Sequence, residues 1–200
     1  MDSQQPEQGI LERLEQAEQL KIQGQHWDAL VLLEQILLED PDNISALEEI
    51  ADNELSLGRF RRAEAAAKRA IALDDQSYTG HYIIGFLHSR SSDWSTAIVS
   101  LRRANALKPN NSEILRCLGW ALFCGGKRTQ GLVTLERALN LDSNSALTLC
   151  DLGALYVQLQ HFSKAKTLFL RALDLDPRNE RARECLCTVE RLMKLAVPRR

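Results

Sequence analysis

Residues 146–179 read ALTLCDLGALYVQLQHFSKAKTLFLRALDLDPRN, two helical stretches joined by a short polar turn. Leu149, Leu152, Gly153 and Tyr156 fall on one face of the first stretch, and Ala165, Leu168, Phe169, Ala172 and Leu173 on one face of the second. This is the three-and-four spacing of an amphipathic helix rather than the alternation of a strand. The two apolar faces bury themselves against each other, and Pro177 stops the second helix before another begins.

Working outward, the same pattern recurs every 34 residues without an insertion, over 10–43, 44–77, 78–111, 112–145 and 146–179. Counted from the first residue of each unit, position 8 is Ala17, Ala51, Gly85, Gly119 and Gly153, and position 20 is Ala29, Ala63, Ala97, Gly131 and Ala165. Position 27 is Ile36, Ala70, Ala104, Ala138 and Ala172, while position 32 holds Pro41, Pro109 and Pro177 in three of the five units. Small residues on both helices of a pair allow close backbone approach, so the chemistry of the columns agrees with the period.

These columns resemble the tetratricopeptide repeat family. The last unit matches its pattern best, through Leu149, Leu152, Gly153, Tyr156, Phe162, Ala165, Phe169, Ala172 and Pro177. Departures are local. Glu54 and His88 stand where tyrosine is usual, Ser92 and Gln160 replace the turn glycine, Gly131 replaces alanine, and Arg13 and Gln16 occupy apolar positions of the first unit. The resemblance implies an all-α fold, a right-handed α-solenoid forming one elongated domain. The polar residues 1–9 are expected to be a flexible leader. After the five units, residues 180–195 carry one apolar and one charged side, as a terminal capping helix requires, and Pro198 and the tail 196–200 follow it. Aromatic residues just after the turn, Phe60, Trp94 and Phe162, are expected in the core.

Composition narrows the function. The sequence holds no apolar run of the roughly 18 residues needed to cross a bilayer, and no signal-peptide pattern, so a cytoplasmic protein without membrane insertion is expected. Five cysteines form no zinc-like spacing. Cys117, Cys124 and Cys150 lie on equivalent helices, and they read as small buried hydrophobes of a reducing compartment. The formal net charge of −2 conceals an asymmetry: through Ser77 the balance is −10, and from Tyr78 onward it is +8. A pI near 6.1 lacks the basic footprint of nucleic-acid binding, so no nucleic acid is expected as partner.

No catalytic arrangement stands out, and neither a cofactor nor a metal is expected. His26, His81, His88 and His161 are scattered through different units and read as structural or surface residues. Gly125, Gly126 and Lys127 lack the spacing of a phosphate-binding loop. The expectation is a non-enzymatic scaffold or adaptor that binds a protein or peptide. The alternative is a homo-oligomer assembled head to tail through its acidic and basic ends.

In the family resembled, partners lie on a concave surface lined by first-helix positions 2, 5, 6, 9, 12 and 13. Carried over residue by residue, the positions selected are Glu48, Glu49, Asp52, Tyr82, Phe86, Arg90, Arg116, Trp120 and Phe123, with Glu15, Glu18 and Lys21 in the first unit and Ile22 set aside as buried. Phe86 and Trp120 share position 9 in consecutive units and are expected to neighbour each other. The groove would be acidic in front and aromatic in its middle. Acidic residues stand where a carboxylate clamp needs Lys, Arg and Asn, and no asparagine ladder is present, so an apolar or amphipathic partner with basic residues fits best.

Overall fold

The computed structural model describes residues 4–196, with side chains from residue 8 to residue 195. Among the described residues there are eleven helices and no strand: α1 (Gln4–Ile22), α2 (His26–Glu39), α3 (Ile44–Ser56), α4 (Phe60–Leu73), α5 (Tyr78–Arg90), α6 (Trp94–Leu107), α7 (Ser112–Cys124), α8 (Arg128–Leu141), α9 (Ala146–Gln158), α10 (Phe162–Leu175) and α11 (Glu180–Ala196). The leader expected over 1–9 is helical from Gln4 onward, because α1 extends ahead of the first repeat. Residues 1–3 and the tail from 197, Pro198 included, lie outside the described residues.

The chain forms two compact units, one ending at Lys108 and one starting at Pro109. Each is a stack of antiparallel helix pairs. In the first unit, α1 touches α3 and α3 touches α5, in addition to the contact of each helix with the next along the chain; in the second, α7 touches α9 and α9 touches α11. The second helices of the pairs make no such contact with one another among the described residues. Each unit therefore has an inner face lined by first helices.

The start of each first helix is set by the last residue of the preceding repeat. The side chains of Asn43, Ser77, Asn111, Ser145 and Asn179 accept hydrogen bonds from the backbone N–H groups of Ala46, Gly80, Ile114, Thr148 and Ala182. Each satisfies one of the amides that a helix start leaves without a partner. Inside the pair, position 8 is small because a large residue from position 24 lies on it. A Cβ added at Gly85 would stand 2.6 Å from Leu101 Cγ, at Gly119 2.7 Å from Leu135 Cγ, and at Gly153 2.7 Å from Phe169 Cε1. Gly131 is the least yielding, since an added Cβ would meet backbone there, the Phe123 nitrogen at 2.6 Å.

The turn between the helices of a pair needs a left-handed residue. Gly24, Gly58 and Gly126 supply it, with φ of 76°, 71° and 86°, but Ser92 and Gln160 adopt φ of 62° and 61° at the same position. The left-handed conformation costs a non-glycine residue roughly 1–2 kcal/mol. Part of any gain from glycine is returned through the freer unfolded chain. Gln160→Gly is therefore expected to stabilise the second unit by about 0.5–1 kcal/mol, read as a rise in the midpoint of thermal unfolding. A fall in that midpoint would show that the Gln160 side chain contributes more than its backbone costs.

An arginine column ties neighbouring repeats together. At position 26, Arg69 Nη2 donates to the Pro41 carbonyl and approaches Asp42 at 3.3 Å, and Arg103 Nη2 reaches the Asp75 carboxylate at 3.4 Å. Arg137 Nη2 bonds Asn110 Oδ1, and Arg171 Nη2 donates to the Ser143 carbonyl at 2.6 Å. Each arginine reaches the loop that ends the preceding repeat. These residues stand in one sequence column of units two to five, a signal that column comparison for small residues passes over.

Candidate functional site

The inner face of the first unit is built from α1, α3 and α5. The three acidic residues expected there are engaged within the chain. Lys21 Nζ lies 2.7 Å from Glu49 Oε2 and 3.2 Å from Asp52 Oδ2, and Ser77 Oγ donates to Glu48 Oε1 at 2.5 Å. Burial works against the charge of Lys21, but the hydrogen bond to Glu49 and the two carboxylates hold its ammonium above the usual range. Glu15 and Glu18 are exposed on α1, so carboxylates outnumber the single lysine. Ile22, expected to be buried, is 69% exposed.

Beside this acidic wall, Tyr82 and Phe86 lie one helical turn apart on α5, with ring centres 6.4 Å apart and planes tilted by 39°. Both are half-buried, and Tyr82 packs on the cluster around Ala51, Ala67 and Ile83. Arg90 departs from the inner-face expectation: its guanidinium stacks 4.1 Å from the centre of the Phe60 ring at the start of α4. Phe60 is half-buried under that arginine rather than sealed in a core, and Trp94 and Phe162 are half-buried as well.

In the second unit, Arg116 is committed to an ion network. Its Nε and Nη2 bond both oxygens of Glu113, its Nη1 donates to Asp151 Oδ2 at 2.6 Å, and Arg181 of α11 donates to Asp151 Oδ1 at 2.7 Å. The Asp151 side chain is 4% exposed. Burial alone would disfavour the charge of Arg116, and the bonds to Glu113 with the nearby acidic groups raise its pKa regardless. Phe123, expected on the groove, is buried in the core with Leu135, Leu149 and Phe169, because the close approach of Gly131 draws α8 onto it. Trp120 is half-buried against the same cluster. Phe86 belongs to the first compact unit and Trp120 to the second.

The departures from the repeat pattern have local explanations. Glu54, at a tyrosine position, is buried and faces Arg62 at 3.3 Å and Arg59 at 3.5 Å. His26 Nδ1 lies 2.9 Å from the Oδ1 of the fully buried Asn53, and His81 Nε2 3.0 Å from the Asp75 carbonyl. His88 pairs with Asp93 and His161 packs edge-on to Tyr156. Tyr156 keeps the expected tyrosine and donates to Glu136 Oε1 at 2.8 Å; burial and that carboxylate push its phenol up to about 12. Cys117 and Cys150 are buried thiols outside any disulfide, and burial pushes the Cys150 thiol up, away from the reactive thiolate. Among the described residues no group of His, Cys, Asp and Glu is set to hold a metal, and no helix is long and apolar enough to cross a membrane.

Comparison with known proteins places this geometry. The tetratricopeptide repeat family profile matches residues 146–179. A TPR repeat-containing protein of Pseudomonas aeruginosa is 35% identical over 105 residues, covering 52% of this chain and 42% of that protein. Anaphase-promoting complex subunit 3 of Schizosaccharomyces pombe is 24% identical over 115 residues, covering 58% of this chain and 17% of that protein. The chain spans less than half the length of these curated relatives. The crystal structure of a thermophilic TPR protein from Thermus thermophilus superposes with a TM-score of 0.72 at 21% identity, over 90% of this chain and 98% of that one, and so shares its fold. The profile match makes residues 146–179 a tetratricopeptide repeat, and the helix pairs and recurring caps give the rest of the chain the fold of such repeats.

Proposed function

We propose that the protein is an interaction scaffold whose first unit holds an amphipathic, basic segment of a partner protein on the inner face of α1, α3 and α5. The observation that carries the reading is the excess of carboxylates around Lys21, set beside the Tyr82–Phe86 pair. Aromatic rings supply contact area at low entropic cost, and the acidic wall steers a basic partner and fixes its direction. The name of the fission-yeast relative, a subunit of a larger complex, is in keeping with a role in assembly. Because Glu48, Glu49 and Asp52 already have internal partners, a partner's basic residue competes with Lys21 and Ser77 rather than meeting free carboxylates.

That competition gives the test. Titration of the full chain with the peptide Ac-KLFKKLLK-NH2 is expected to show saturable binding that weakens with salt. Glu49→Gln with Asp52→Asn, and separately Phe86→Ala, are expected to weaken it about tenfold or more, a change of roughly 1.4 kcal/mol. Lys21→Met is expected to strengthen binding, because it removes the internal competitor. Loss of folding cannot produce opposite effects from two sides of one ion pair. Equal affinity for all variants would remove the inner-face reading, and growth of the protein into larger species at low salt without peptide would favour head-to-tail assembly.

A further inference from the structure

A second feature of the first unit lies away from the inner face, at the edge where α4 begins and α5 ends. A cavity of about 300 Å³ opens there between Phe60 and Arg61 of α4 and Leu87 and Arg90 of α5. Arg90 stacks on Phe60, which holds the guanidinium plane while leaving its N–H edge free to bond. Arg61 is exposed at the same mouth. Among the described residues neither arginine has a carboxylate partner, whereas Arg59 and Arg62 are both held by Glu54.

The acidic groups nearby are already committed. Glu64 receives Lys68 Nζ at 2.6 Å, and Asp93 pairs with His88 at 3.1 Å while capping α6 through the Thr96 N–H. The negative end of α5 is blunted as well, since Ser91 Oγ donates to the carbonyls of His88 and Leu87 at 3.0 and 3.3 Å. What remains is a pocket with Phe60 and Leu87 as its apolar walls, the already paired Glu64 and His88 and the Ser91 hydroxyl on its lining, and two cationic forks at its rim. A stacked arginine beside a second one is the arrangement that receives a carboxylate or phosphate through paired N–H bonds.

We propose that this edge cavity binds an anionic side chain, a carboxylate or a phosphate monoester, on a segment of a protein partner whose adjoining apolar side chain fills the space beside Phe60 and Leu87. The site is distinct from the acidic inner face and selects the opposite charge. It gives the first unit two points of attachment with complementary demands, one for a basic stretch and one for an acidic residue. Two such contacts on one partner raise avidity and fix the direction in which the partner runs.

The test uses the full chain, amide-resolved NMR and three peptides: Ac-GSFEGS-NH2, its phosphoserine counterpart with pSer in place of Glu, and Ac-GSFKGS-NH2. Both anionic peptides are expected to shift the amides of Arg61 and of residues 87–91 saturably, and the lysine peptide to leave them unmoved. Arg61→Ala and Arg90→Ala should each weaken the anionic peptides about tenfold, and Arg90→Lys, which keeps charge without the planar fork, should fall between. Tighter binding of the phosphoserine peptide identifies a phosphorylated partner, and equal binding an acidic one. Glu49→Gln should leave all of these affinities unchanged, so failure here is separable from failure of the inner-face reading. The assignment is overturned if the lysine peptide shifts the same amides, if the double Arg61→Ala, Arg90→Ala variant binds like wild type, or if no saturation is reached by about 10 mM peptide.

Discussion

Replacing Asp151 with alanine is expected to cost the second unit about 1–3 kcal/mol, because it leaves Nη1 of the largely buried Arg116 without an acceptor, with Glu113 still holding Nε and Nη2, and releases Arg181 of α11. Asp151 divides its two oxygens between those arginines, and its side chain is 4% exposed. The main term is the penalty for leaving one face of a guanidinium without an acceptor away from water, not the worth of the bridge itself. Two controls separate them. Asp151→Asn keeps the shape and one acceptor but removes the charge, and should retain part of the loss. Pairing Asp151→Leu with Arg116→Met should recover most of the stability, since an apolar pair of similar size needs no compensation. Hydrogen exchange resolved to α7, α9 and α11 is the measurement, because it reports each segment without assuming that the whole chain unfolds at once. A loss below about 1 kcal/mol for Asp151→Ala would mean that Glu113 alone is enough to hold Arg116.

Phe169→Ala is the second large effect, expected at about 3–5 kcal/mol, from lost burial and the cavity left behind. Phe169 is fully buried at the centre of the second unit's core. Its ring lies on Gly153, so the two positions are a matched pair. Gly153→Ala alone drives a methyl against the ring and is expected to destabilise by about 1–3 kcal/mol, the usual cost of overpacking. Combining Gly153→Ala with Phe169→Leu should be milder than the sum of the two single changes, because the smaller side chain vacates the space that the methyl enters. Additive losses would show that the helices, not the ring, fix their separation. Urea unfolding of the four variants under one set of conditions is sufficient to tell.

The fold was readable because it depends on residue size at fixed intervals, and size is legible in a single sequence. The columns holding Gly85, Gly119 and Gly153 record where helices touch, and the structure places a position-24 side chain on each. The place of the turn was readable too, even at Ser92 and Gln160, where only the period marks it; that these two residues are left-handed shows only in the backbone. The site was harder. Position in the repeat says which way a side chain leaves the helix but not what meets it there. Glu49 and Asp52 occupy inner-face positions, yet Lys21 of the preceding repeat reaches both. Arg90 leaves α5 at an inner-face position and its length carries it back over Phe60. Phe123 is buried because Gly131 lets α8 approach unusually closely, a consequence of a substitution one helix away. Long or charged side chains choose among partners after the backbone is set, and that choice is not periodic.

The arginines at position 26 have a consequence for how such a chain can change. Arg69 and Arg171 grip main-chain oxygens of the preceding loop, so they read the distance between repeats and are indifferent to which residue supplies the carbonyl. The residue that ends the same loop caps the next first helix. One added or missing residue in such a loop would break the grip and displace the cap together, a double penalty that no single side-chain substitution there incurs. Loop composition is therefore free to drift while loop length is held, and a repeat of this kind is gained, lost or exchanged only as a whole.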